Sequence, residues 1–194
     1  MNILSLPASG FQRRPWKNGL GETVTIAAQT EGSGWHDVQW SLSRTEIANA
    51  GPFSDFSGYE RWQVVIEGTG LVLETPEGEI DLRKSFRPVR YDGALAIRAR
   101  LENGEVGVVN LIARKARFAA SMIVLAEGGS ARLPAGIHVL FAPTGESKPM
   151  LEGARLLIRA GDGLRVDSAA PLVIANTGTS LLVASLEDRA HHGA

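Results

Sequence analysis

Short runs of β-forming residues recur along the whole chain, with turn formers between them. The runs at 23–27, 38–43, 62–66, 70–74, 106–112, 123–126 and 137–142 predict strands. Those at 156–158, 172–175 and 180–186 continue the series, punctuated by Gly161-Asp162-Gly163 and Asn176-Thr177-Gly178. Nothing between the runs has the length and 3.6-residue period of the helices that alternating βα units need, so the pattern predicts an all-β, antiparallel sandwich or barrel. Within 38–43, Val38, Trp40 and Leu42 share one face of a strand while Gln39, Ser41 and Ser43 share the other. Either the polar face lines a wet interior in a barrel wall, or the strand is an ordinary half-solvated one.

A weak internal echo points to two similar halves. VVIEGTGLVLETPEG at 64–78 and IVLAEGGSARLPAG at 123–136 share a β run, a Glu-Gly turn, a second run and a Pro-x-Gly. At 194 residues the chain is long enough to bury a core without staples. It contains no cysteine, which excludes disulfides, thiol nucleophiles and thiolate metal sites. The amino terminus lacks the basic start and apolar run of a secretory signal, and no apolar stretch approaches the ~20 residues of a membrane helix. A cytoplasmic location with no membrane partner is the expectation. A net charge of −1 predicts no general affinity for nucleic acid. Basic residues nevertheless outnumber acidic ones over 83–117, either as a solvated face or as a surface for anionic ligands.

Candidate chemistry concentrates in two segments. RRPWKNGLGET at 13–23 packs cations, an amide and two glycines before the first strand, and Lys17 with Asn18 could grip an anion there. In GPFSDFSGYER at 51–61, Phe53, Phe56 and Tyr59 could anchor the segment and hold Arg61 in place. A fixed arginine suits a carboxylate, because its planar fork binds both oxygens and stays charged. No metal site is expected: His36 and His138 are isolated, and His191-His192 lies in a Gly-Ala terminus. His138 reads as a wall or surface histidine. No nucleophile elbow, phosphate loop or dinucleotide fingerprint is present, so an organic cofactor is not expected either.

PWKNGLGET at 15–23, GPFSDFSGYER at 51–61 and NLIARK at 110–115 resemble, in that order, the HutD/Ves family. The resemblance covers the first ~115 residues well. It implies a bicupin, two antiparallel cupin-like β-barrels packed as one unit, with halves at 1–115 and 116–194. It also implies a small-molecule-binding, regulatory protein whose ligand is a histidine-degradation intermediate such as urocanate or formylglutamate. The Ves branch is associated instead with stress and cold response. Carried over, the motifs point to Trp16, Lys17, Asn18, Gly19, Gly21, Thr23, Phe53, Ser54, Arg61, Asn110 and Arg114. Departures are Leu20 within the glycine run, Val108 in place of an acidic residue, and Lys115 in place of a second arginine.

The leading expectation is therefore carboxylate binding without turnover. Lys17, Asn18, Thr23 and Arg61 engage the ligand, and Ser41 and Asn110 complete the polar lining. The alternative is a metal-independent isomerase or hydrolase of a small organic acid with Glu22 as the acid–base group. A third is an interaction module using the basic region. A homo-oligomer is compatible with all three.

Overall fold

A computed structural model describes residues 1–15, 22–32 and 34–192. The chain forms two units, one of Gln12–Ala116 and one of Met1–Phe11 together with Arg117–Ala194. Every predicted run except 156–158 falls on a strand. That segment instead makes single contacts with its neighbour: Leu156 donates to the Pro149 carbonyl, and Ile158 pairs with Ser147 as an isolated bridge. The first eleven residues, counted with the N-terminal half on sequence grounds, belong to the other unit. Strand Asn2–Leu6 runs antiparallel to Gly163–Ser168 there.

In the unit of residues 12–116, a six-stranded sheet is ordered Gln12–Pro15, Glu22–Thr30, Val38–Ile47, Val106–Arg114, Tyr59–Glu67, Val89–Asp92. A four-stranded sheet is ordered Gly51–Pro52, Arg98–Leu101, Leu71–Thr75, Gly78–Leu82. The core of this unit joins Ile47, Val65, Val106 and Val108 of the larger sheet to Leu71, Leu73, Leu82 and Ala99 of the smaller. Burial of the valine, leucine and isoleucine side chains contributes ~1.5–3 kcal/mol each.

In the other unit the order is Asn2–Leu6, Gly163–Ser168, Gly136–Phe141, Leu181–Asp188, Phe118–Leu125 for the larger sheet. The smaller sheet runs Ser130–Leu133, Leu172–Asn176, Pro149–Leu151, Ala154–Arg155. If the eight strands from Val38–Ile47 onward, and the eight from Phe118–Leu125 onward, are each numbered in chain order, both sets pair as 1-8-3-6 and 2-7-4-5. That is a two-sheet, jelly-roll order repeated along the chain. The repeat aligns Tyr59–Glu67 with Gly136–Phe141, so the sequence echo at 64–78 and 123–136 is out of step with it. Its resemblance lies in turn chemistry, which recurs at many hairpins. Among the described residues the sheets stay open, and no ladder closes either pair into a barrel. The smaller sheets end in strands of only two residues, Gly51–Pro52 and Ala154–Arg155, which give little edge to pair.

Candidate functional site

Directly opposed residues in antiparallel strands share a face. In the six-stranded sheet Asn110 stands between Ser43 and Gln63, and Ile112 stands between Ser41 and Arg61. Thr25 lies beyond Ser43, Thr23 lies opposite Thr45, and Tyr91 lies opposite Arg61. One face therefore collects Thr23, Thr25, Ser41, Ser43, Arg61, Gln63, Tyr91 and Asn110. Farther along, the same face turns apolar through Val65 and Val108, which enter the core. The opposite face carries Trp40, Leu42 and Leu111, all fully buried. Of the two readings of 38–43, the one with an inward polar face fits this arrangement.

Arg61 is the unusual member. It is 7% exposed, and its pKa is lowered by burial, against a small opposing influence from Tyr91. Its guanidinium carbon lies 5.1 Å from the Phe53 ring centre, 4.8 Å from that of Phe56 and 5.1 Å from that of Tyr91. No carboxylate among the described residues pairs with it, and its buried Nε has no hydrogen-bond partner. Stacking on rings contributes ~0.5–2 kcal/mol per contact, whereas a buried charge without a counter-charge costs several. The side chain stays protonated, because arginine does not give up its proton in proteins.

Around it, polar groups are left half-satisfied. The Tyr91 hydroxyl donates to Gln63 Oε1 at 2.7 Å, and burial pushes the Tyr91 pKa up to about 12, so the phenol keeps its proton. Gln63 is fully buried and its Nε2 is unpartnered, as is the buried Oδ1 of Asn110 opposite it. Each such group costs ~1–3 kcal/mol while unsatisfied. At the rim, Arg114 stacks 5.1 Å from the Tyr59 ring, donates to the Tyr59 hydroxyl at 3.0 Å and donates to the His36 carbonyl. The Tyr59 hydroxyl in turn donates to the Val38 carbonyl at 2.8 Å.

The aromatic segment is fastened by backbone. Phe53 donates to the Ile97 carbonyl at 2.8 Å, Phe56 to that of Gly93 at 2.9 Å, and Gly93 to that of Tyr59 at 2.9 Å. A Cβ on Gly93 would sit 2.4 Å from the Phe56 carbonyl oxygen, so only glycine allows this approach.

Of the residues singled out in sequence, Thr23, Ser41, Arg61 and Asn110 come together on this face. Lys17 and Asn18 lie outside the described residues. Glu22 alternates to the face opposite Thr23 and is ion-paired with Arg13. Gln63 and Tyr91 were missed. Gln63 follows Arg61 by two positions, so alternation along that strand would have found it; Tyr91 sits on a four-residue strand.

Much of the basic excess over 83–117 is tied to neighbouring acids. Arg83 reaches Glu102 at 2.7 Å, Arg100 reaches Glu74, Glu79 and Glu102, and Lys115 reaches Asp92 at 2.7 Å. Lys115 and Asp92 border a shallow cleft of about 310 Å³ together with the ion-paired Glu60 and Arg90. Lys115 thus spends its charge on Asp92. His138 is a fully buried wall residue of the other unit. Among the described residues no group of three or more His, Asp or Glu could hold a metal, and no helix is long and apolar enough to cross a membrane.

The HutD family model matches residues 8–183, nearly the whole chain. The chain belongs to the HutD family. A Pseudomonas putida relative of this HutD-family chain, an uncharacterized 21.2 kDa protein in the hutC 3' region, is 32% identical over 60% of the chain and 61% of that protein. Protein Ves of Citrobacter koseri is 31% identical over 56% of each. The chain therefore aligns with only about three fifths of the length of these curated relatives. HutD of Pseudomonas fluorescens SBW25 is 30% identical over 97% of this chain and 100% of that one, with a TM-score of 0.82. At 10% identity, Ylba of Escherichia coli shares the cupin-like fold alone, with a TM-score of 0.66 over 96% of this chain and 91% of that one.

Proposed function

We propose that this HutD-family chain binds a small carboxylate on the polar face of the 12–116 unit, with Arg61 as its main contact. One observation carries the reading: a buried guanidinium held by three aromatic rings, with no carboxylate beside it among the described residues. A carboxylate supplies the missing charge and accepts from the unpartnered Arg61 Nε and Gln63 Nε2. Lys17 and Asn18, outside the described residues, are proposed to complete the grip, and Thr23 and Ser41 the polar lining. The P. fluorescens relative was solved in a formate condition, and formate is the smallest carboxylate. The setting of the P. putida relative near hutC supports a histidine-degradation acid such as urocanate or formylglutamate, bound for regulation. The repeated strand order supports a bicupin, and the lack of cysteine suits the cytoplasm.

The arrangement gives the enzymatic alternative no support, because Glu22 faces away and is paired with Arg13. Titration calorimetry with formate and urocanate tests the binding reading. Arg61→Ala should weaken binding at least tenfold in a protein that still melts cooperatively. Arg61→Lys, which keeps charge and loses the fork, should fall between. Unchanged affinity in folded Arg61→Ala would remove Arg61 from the site.

A further inference from the structure

Two buried groups on the polar face of the larger sheet are complementary and yet do not pair. Gln63 and Asn110 stand directly opposite each other on neighbouring strands. Gln63 presents a free amino donor and Asn110 a free carbonyl acceptor. The orientation of Gln63 follows from Tyr91, whose protonated phenol donates to Oε1 and turns Nε2 away from itself. The donor side of this face, Arg61 Nε and Gln63 Nε2, is what a carboxylate satisfies. Asn110 Oδ1 is different in kind: an ionised carboxylate has no hydrogen to offer it, and its oxygens are repelled by it.

We propose that the ligand bears a hydrogen-bond donor, an O–H or N–H, adjacent to its carboxylate, and that Asn110 selects for it. This deepens the carboxylate reading and rests on it. A plain acid fills the donor side of the face and leaves the Asn110 oxygen desolvated against apolar or anionic surface. A 2-hydroxy acid, or an acid with a neighbouring amide N–H, satisfies both sides at once. A site built around a buried polar group rejects analogues that cannot pair with it much more strongly than it rejects a change of one methylene. Asn110 is thereby a specificity residue and Arg61 the source of affinity.

The test uses glycolate and propionate, which match in size and differ in replacing a hydroxyl by a methyl. In calorimetry on the full chain, glycolate should bind at least tenfold more tightly than propionate. Asn110→Leu should bring the two within about twofold, with propionate binding no weaker than in the parent. If that variant does not fold, Asn110→Ala makes the same comparison. Gln63→Met should weaken both acids together and preserve their ratio. Equal binding of glycolate and propionate by the parent chain overturns the selectivity while leaving the carboxylate reading intact, as does a tenfold preference that survives loss of the Asn110 side chain. Binding of neither acid, nor of formate, overturns the carboxylate reading and this inference with it.

Discussion

Arg61 and His138 are both buried bases, and the chain treats them in opposite ways. Arg61 keeps its charge and has no carboxylate partner among the described residues, the place the proposed ligand would fill. His138 has both ring nitrogens occupied: Nε2 lies 3.1 Å from the Pro134 carbonyl, to which it can only donate, so Nδ1 accepts from the Ser185 hydroxyl at 2.9 Å. Burial lowers its pKa, against smaller opposing effects from the Pro134 carbonyl and Asp167. The unfolded chain thus takes up this proton more readily than the folded one. The contribution of neutral His138 is complete above the unfolded value of ~6.5 and is lost as pH falls from there through the lower folded value. Melting temperature should therefore drop between pH 7 and pH 5, and His138→Gln should flatten that slope. A slope of equal size in the variant would assign it to other groups.

At the scale of elements, the site depends on how the aromatic segment meets the end of strand Val89–Asp92. Gly93 is the close-approach point, with room for no Cβ beside the Phe56 and Tyr59 carbonyls. Gly93→Ala should cost about 1–3 kcal/mol, as overpacking does, and should reduce the stabilisation given by bound formate because Phe56 moves off Arg61. Gly51→Ala, with open space around its Cβ, is the control and should leave that stabilisation in place. On the smaller sheet, Arg83 and Arg100 hold the Glu102 carboxyl down at about 2. A depressed carboxyl contributes fully above its unfolded value of ~4.3 and loses that contribution as pH falls from there through about 2, below the His138 window. These groups are solvent-exposed, so Glu102→Gln should lower the melting temperature slightly at low salt. The difference should vanish near 1 M salt, where screening reaches ~3 Å.

At the scale of the whole molecule, one strand order occurs twice with different side chains on its larger sheets. In the 12–116 unit the larger sheet has a polar inner face with unsatisfied groups. In the other unit the larger sheet contributes Leu140, Leu164, Val166 and Val183 to a continuous apolar core, and its polar pair His138–Ser185 is self-contained. Carboxylate titration should saturate at one ligand per chain. Two equivalent sites, or loss of half the binding in His138→Gln, would contradict that expectation.

Strand positions, the absence of βα units and the division of 38–43 into a polar and an apolar face follow from residue periodicity, because the two-residue repeat of a strand is a local property of the backbone; which face turns inward does not. The fixing of Arg61 was legible in part, since two of the three rings around it, Phe53 and Phe56, precede it within one segment, whereas Tyr59 of that segment stacks on Arg114. Gln63 needed that alternation carried one step further. Tyr91 and the missing counter-ion of Arg61 depend on which strands become neighbours, which no local pattern states. Long-range pairing also put Asn2–Leu6 beside Gly163–Ser168 and set the true repeat against the misleading echo of turn residues. The sequence by itself determined the β class and the supply of polar groups. Only the tertiary structure decided which of them meet, because opposition across strands is fixed by hydrogen-bond register between segments far apart in the chain.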